Sequence, residues 1–361
     1  MSPEEFSSAV QGCTHFLRDH YPRSARQRLL DIAESPYCEL KPDQYGNGGF
    51  IAEFESGIAA LLGKKAALFM PSGTMAQQIA LRIWADRSGN STVAFHPMCH
   101  LHTHEHMAYR ELHRLEAVLL GEADRLFTYT DLNEVEKSVG TVLIELPQRD
   151  LGGELPTWDE LKAITSLAKA KDSKLHLDGA RLWETGPFYQ KSYSEIASDF
   201  DSVYVSFYKV LFGLPGAALA GPSDFIEEAR VWMRRHGGNL HTMYPNAISA
   251  KLGLEKRLSC IPAYVEKAIE IANILNRLEG VSVRPKVPQT NMMHITFEAP
   301  KEKIMDAVGE IARSEKCLLF GGVSENGTGC KLELWVGDAG LDVPKDQISR
   351  MFSRLLELAN G

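Results

Sequence analysis

The chain has 361 residues, 44 % of them hydrophobic, and a formal net charge of −8. It is longer than one ordinary compact domain and apolar enough for a large core, so two domains are expected. An acidic chain without a long basic run lacks the electrostatic footprint of a nucleic-acid or anionic-membrane binder, and no apolar run approaches the ~20 residues that span a bilayer. The N-terminal MSPEEFSSAVQGCTHF carries two acids and no apolar stretch of signal-peptide length, which points to a cytoplasmic protein with a small-molecule partner. Cys13, Cys38, Cys99, Cys260, Cys317 and Cys330 are scattered without CxxC spacing, so reduced thiols are expected rather than a disulfide framework or a zinc ribbon.

Residues 1–45 begin with a helix and end in the turn-rich ELKPDQYGNGGF, forming an N-terminal arm. From there to about residue 222, apolar runs alternate with helical patterns: AALFM with TMAQQIALRIWAD, TVLIEL with TWDELKAITSLAKA, KLHLD with SYSEIASDF, and SVYVSF with KVLFGLPGAALAG; TVAFH adds a further strand. That alternation predicts an α/β fold with a mainly parallel sheet and crossover helices. Residues 223–280 read as mainly helical, with PAYVEKAIEIANILNRLEG opened near Pro262 and stopped by Gly280. The tail alternates VSVRP, MMHITFEA, a helix over KEKIMDAVGEIARSE, CKLELWVG and a last helix, which predicts a small α+β domain. The expected division is an arm over 1–45, a large α/β domain over 46–250 and a small domain over 251–361.

Three apolar runs end in a reactive polar residue: Glu145 after TVLI, Asp178 after KLHL and Lys209 after SVYVSFY. Ligands of open parallel sheets bind beyond the carboxyl ends of the strands, so one site can hold all three. Lys209 lies among Phe207, Tyr208, Val210, Leu211 and Phe212. Partial burial lowers an amine's pKa and prepares it for Schiff-base formation, whereas the bland alternative is a lysine whose stem covers apolar surface while its head reaches water. Asp178, at a strand end before Gly179, can pair with a protonated pyridine nitrogen. A lysine Schiff base plus that aspartate is the minimal signature of pyridoxal phosphate chemistry. Ser72-Gly73-Thr74, between a strand and a helix, offers N–H groups and two hydroxyls to a phosphate, although the same letters make an ordinary N-cap.

HPMCHLHTHEHMAY holds His96, His100, His102, His104 and His106 with Cys99 and Glu105. The i, i+4 pairs put two imidazoles on one helix face, as a metal site would, but neither HExxH nor a spaced Cys/His set is present, and no metal is assigned. The competing reading is that one imidazole stacks on the cofactor ring.

ALFMPSGTMAQQ, IELPQRDLGGELPTWDEL, HLDGARLW, the strand ending in Lys209, DFIEEAR, RRHGG and QTNMMHI resemble, in order and spacing, the threonine aldolase or β-eliminating lyase family of fold-type I pyridoxal phosphate enzymes. The resemblance runs from about residue 40 to the C-terminus. It implies a large domain with a mainly parallel sheet and a small C-terminal domain. It also implies Lys209 as Schiff-base lysine, Asp178 on the pyridinium, Ser72, Gly73 and Thr74 on the phosphate, His100 stacked on the ring and Arg181 on the substrate carboxylate. A homodimer or homotetramer with active sites at the subunit interface is expected on the same ground. The chain departs from the family pattern at Tyr208 and Val210, where serine and glycine flank the lysine, and at Gln148, where many members have a histidine. Glu333 stands near the expected place of a second carboxylate-binding arginine, for which Arg149, Arg234 or Arg235 are candidate substitutes.

The reaction so implied is retro-aldol cleavage of a β-hydroxy-α-amino acid to glycine and an aldehyde, with His100 first, and His102 and His104 behind it, as candidate base. The alternatives are β-elimination, racemisation or transamination on the same scaffold, or a protein that binds the cofactor with little turnover, a reading motivated by Gln148 and Glu333.

Overall fold

The computed structural model describes residues 2–361, which fall into two compact units. The larger comprises Ser24–Asp150 and Leu155–Ser259, and the smaller residues 2–23, Leu151–Glu154 and Cys260–Gly361. These boundaries differ from an arm over 1–45 and a break at residue 250. The first 23 residues pair and pack with C-terminal elements, and no local composition signals such long-range partners.

Seven strands form the sheet of the larger unit: β1 Ala66–Met70, β2 Thr92–Phe95, β3 Glu116–Leu119, β4 Thr141–Glu145, β5 Lys174–Gly179, β6 Ser202–Ser206 and β7 Ala217–Gly221. Their spatial order is β1-β7-β6-β5-β4-β2-β3. All neighbours are parallel except those of β7, which runs antiparallel to both β1 and β6. The helical reading of KVLFGLPGAALAG is thereby corrected. Gly213, Pro215 and Gly216 break any helix, and AALAG is a fully buried strand, which periodicity alone does not separate from a buried helical segment. The edge strand β3 is mostly exposed and is absent from the strands expected from the sequence.

The helix Gly73–Ser88 follows β1 and buries Ala76, Ile79, Ala80, Ile83 and Trp84 against Phe225, Ile226, Ala229 and Met233 of the helix Ser223–Arg235. Trp84 and Phe225 stack with ring centroids 4.6 Å apart. This packing anchors the helix, and with it the placement of its first turn beyond the end of β1.

The smaller unit contains an antiparallel sheet of β8 Val281–Arg284, β9 Met292–Phe297, β10 Ser324–Asn326 and β11 Gly329–Trp335, in the order β10-β11-β9-β8. The last helix, Lys345–Asn360, buries Ile348, Met351, Phe352, Leu355 and Ala359, an apolar stripe at helical spacing. The N-terminal helix Pro3–Gln11 packs on the helix Lys301–Glu315, and His15–Phe16 pairs in parallel with Cys317–Leu318. Among the described residues, no helix is long and apolar enough to cross a membrane.

Candidate active site

Glu145 and Asp178 stand opposite one another at the carboxyl ends of β4 and β5, and Tyr204, in the middle of β6, pairs with Asp178. Because side chains alternate along a strand, paired positions share a face, so all three project to the same side. Asp178 Oδ1 accepts the Ala180 N–H at 3.0 Å, and its Oδ2 accepts from the Gln77 side-chain amide. Lys209 lies three residues past β6 in a turn closed by Phe212 N–H to Lys209 C=O and Gly213 N–H to Phe207 C=O, both 2.8 Å. A Cβ on Gly213 would come within 2.7 Å of that Phe207 oxygen, so only glycine permits this return of the chain.

Lys209, Asp178, His100, Thr74, Glu145 and Tyr208 all line one cavity of the larger unit. Burial, followed by repulsion from Arg181, lowers the Lys209 amine to about 8 against the pull of Asp178 and Glu145. Burial also raises Asp178 above the ordinary carboxylate range. Glu145 is pushed up to about 7, first by burial and then by the Asp178 charge.

Glu145 also ties the surrounding loops together. It accepts the His100 N–H at 3.1 Å, the Arg149 N–H at 3.2 Å and the Gln148 amide at 3.2 Å. Gln148 further donates to Met98 C=O at 2.9 Å and is buried. Its amide is thus occupied in bracing the loop.

The His100 ring places Nδ1 3.3 Å from Glu105 Oε1, and Glu105 Oε2 accepts from Gln78 at 2.9 Å. A buried carboxylate at Nδ1 holds the proton there and leaves Nε2 as the accepting nitrogen. The remaining histidines have partners of their own, although the His104 ring stays 5.1 Å from that of His100. His104 lies 2.9 Å from Asp150, with the Arg149 guanidinium 3.4 Å from the same ring nitrogen. His102 pairs with the Tyr109 hydroxyl at 3.1 Å, and His96 is buried against the Glu122 and Arg125 carbonyls. Among the described residues, no three His, Cys, Asp or Glu side chains are grouped to hold a metal.

Ser72 caps the helix Gly73–Ser88, its Oγ accepting the Met75 N–H at 3.2 Å, which leaves the hydroxyl proton free to donate outward. Gly73 is buried, and a Cβ there would collide with the Tyr204 ring and hydroxyl. The Tyr204 and Tyr208 hydroxyls are hydrogen-bonded, and burial pushes both phenols upward. Arg181 is largely buried, with Nε 4.0 Å from Glu184. Residue-type reasoning did not single out Gln77 or Tyr204. Gln77 is one helical turn beyond Gly73 on the same face, a signal the sequence did contain, whereas Tyr204 requires the strand register.

A mainly parallel seven-stranded sheet with one antiparallel strand beside that of the lysine, together with a smaller antiparallel unit, is the architecture of the fold-type I pyridoxal phosphate enzymes. The family model described as beta-eliminating lyase matches residues 38–298, and the chain belongs to that family. A crystal structure from Listeria monocytogenes EGD-E, provisionally assigned as an L-allo-threonine aldolase, is 42 % identical with a TM-score of 0.94, covering 98 % of this chain and 99 % of that one. Among curated proteins, the aldolase vrtJ of Penicillium aethiopicum is 31 % identical over 79 % of this chain and 74 % of its own length. Low-specificity L-threonine aldolase 1 of Arabidopsis thaliana is 26 % identical over 75 % and 79 %.

Proposed function

We propose that the protein is a pyridoxal phosphate-dependent lyase that cleaves a threonine-like β-hydroxy-α-amino acid to glycine and an aldehyde. The observation that carries this reading is a Lys209 amine with a pKa near 8 in one cavity with Asp178 and His100. The relatives' names point to the same reaction.

The residues present fit the cofactor: a buried amine for its aldehyde, a carboxylate already aligned by two donors for its pyridine nitrogen, and a helix N-terminus with Ser72 and Thr74 hydroxyls for its phosphate. When bound, pyridoxal phosphate supplies the electron sink for the pair released at Cα. The chain's own residues do the rest. Arg181 offers a guanidinium to the substrate carboxylate, and Arg149 stands as its second cation. His100, with Nδ1 held by Glu105, offers its imidazole face to the cofactor ring and its Nε2 to the hydroxyl proton. A cytoplasmic homo-oligomer completes the reading, supported by six cysteines that form no disulfide among the described residues and by Leu29, Leu30, Leu40 and Tyr45 exposed on the larger unit.

Incubating the holoenzyme with threonine or phenylserine tests the reaction. Equal amounts of glycine and aldehyde are expected; a keto acid or ammonia instead would replace cleavage with transamination or elimination.

A further inference from the structure

Behind Asp178 runs a line of buried polar side chains that no step of the cleavage uses. Trp84 Nε1 donates to Ser202 Oγ at 2.8 Å, Ser202 Oγ lies 2.7 Å from His176 Nδ1, and His176 Nε2 lies 2.6 Å from Gln77 Oε1. The Gln77 amide nitrogen then donates to Asp178 Oδ2. All five residues are buried, none more than 3 % exposed. The sheet register explains the alignment: His176 is two residues before Asp178 on β5 and pairs directly with Ser202 on β6. The helix Gly73–Ser88 supplies both ends, Gln77 and Trp84, seven residues apart on one face.

Donor chemistry gives this line a single direction. An indole N–H only donates, and an ionised carboxylate only accepts. Gln77 therefore turns its nitrogen to Asp178 and its oxygen to His176, which fixes the Nε2–H tautomer. His176 Nδ1 then accepts from the Ser202 hydroxyl, whose oxygen accepts from Trp84. Reversing the order would aim both Trp84 and His176 N–H groups at the Ser202 oxygen, require a protonated Asp178, and leave the serine proton without an acceptor in the line. Burial keeps His176 neutral, with its pKa lowered to about 3, as this arrangement needs.

We propose that Trp84, Ser202, His176 and Gln77 form a one-way hydrogen-bond relay that holds Asp178 as an acceptor and so sets how tightly the chain grips the pyridine ring of its cofactor. The inference rests on the assignment of Asp178 to that ring. These are positioning residues, since they act through Asp178. The other titratable groups that act on Asp178 include Lys209, His100, Glu105 and Glu145, and the variants below leave all of them in place.

The test uses the full chain and the variants Gln77→Leu, Ser202→Ala and Trp84→Phe. Three quantities are read: pyridoxal phosphate affinity by absorbance titration, the pH midpoint of the bound cofactor's absorbance, and the thermal midpoint without cofactor. Gln77→Leu is expected to weaken binding by about tenfold, the scale of one hydrogen bond to a charged group, and to displace the pH midpoint. Ser202→Ala and Trp84→Phe should follow in the same direction by less, and they carry the test if Gln77→Leu does not fold. Variants that lower only the thermal midpoint, with affinity and pH midpoint unchanged, would overturn the relay and leave a packing role. Threonine cleavage is assayed on the same wild-type sample: if cofactor binds and the variants shift as expected but no aldehyde forms, the lyase reading falls and the relay stands.

Discussion

At Lys209, desolvation by its aromatic and aliphatic neighbours and repulsion from Arg181 together outweigh the attraction of Asp178, Glu145 and Glu184, so the amine loses its proton near pH 8 rather than above 10. Capture of pyridoxal phosphate by the cofactor-free protein should therefore accelerate with rising pH through a midpoint of about 8, as measured by borohydride trapping and peptide mapping. Lys209→Ala should abolish the adduct, and an adduct on another lysine would refute the assignment. His100→Ala should lower kcat by about 100-fold, the usual scale for a lost general base, whereas Glu105→Gln should keep the ring in place yet reduce kcat about tenfold. Lys209, Asp178 and the Ser72-Gly73-Thr74 turn were readable because each ends an apolar run or opens a helix, positions at which buried polar groups are conspicuous. Glu145 was visible as a strand end, but its bracing of His100, Gln148 and Arg149 was not, since its partners are backbone N–H groups and an amide brought in by loops. Where Gln148 replaces a histidine, the sequence showed only a missing base, while the structure shows a strut.

Packing between the first turn of the helix Gly73–Ser88 and β6 leaves no room for a side chain at residue 73. Gly73→Ala is expected to destabilise the protein by about 1–3 kcal/mol, as overpacking does, and to weaken cofactor binding. Combining it with Tyr204→Leu, which removes the colliding ring, should recover part of the loss, so a denaturant-midpoint cycle over the four proteins should show strong coupling. Elements with a clear period were legible: the helices Trp158–Ala170 and Lys301–Glu315, and the strands β4 to β6. The run after Lys209 was not, because a fully buried strand and a buried helix present the same unbroken apolar face. The direction of β7 escaped for a related reason: a crossover requires a connection of a dozen or more residues, and the short turn from β6 to β7 permits only antiparallel return.

The pH dependence of stability belongs to the molecule as a whole. His113 is buried beside His236 and Arg82, with Asp86 opposing them, and burial lowers its pKa from 6.5 to about 4. Between those values the unfolded chain takes up a proton that the folded one refuses, so this histidine's contribution is present above pH 6.5 and lost as pH falls to about 4. His176 acts in the same sense down to about 3, while Glu145, raised from 4.5 to about 7, acts in the opposite sense between those values. Comparing His113→Phe with wild type isolates the first effect. Their difference in denaturant midpoint should be steady above pH 6.5 and move in favour of the variant on acidification. The smaller unit has a further consequence through its chain path. It is assembled from three separate stretches, and Gly152 and Gly153, both at positive φ, sit where a side chain would strike Arg284 C=O, Met292 and Thr290. A fragment starting at Cys260 would lack the strand partner of Cys317–Leu318 and the Glu154 carboxylate that pairs with Arg284 at 2.9 Å. Dissection of the gene at that boundary should therefore yield an aggregating peptide, and soluble folding should return only when the piece that ends at Ser259 is supplied with it.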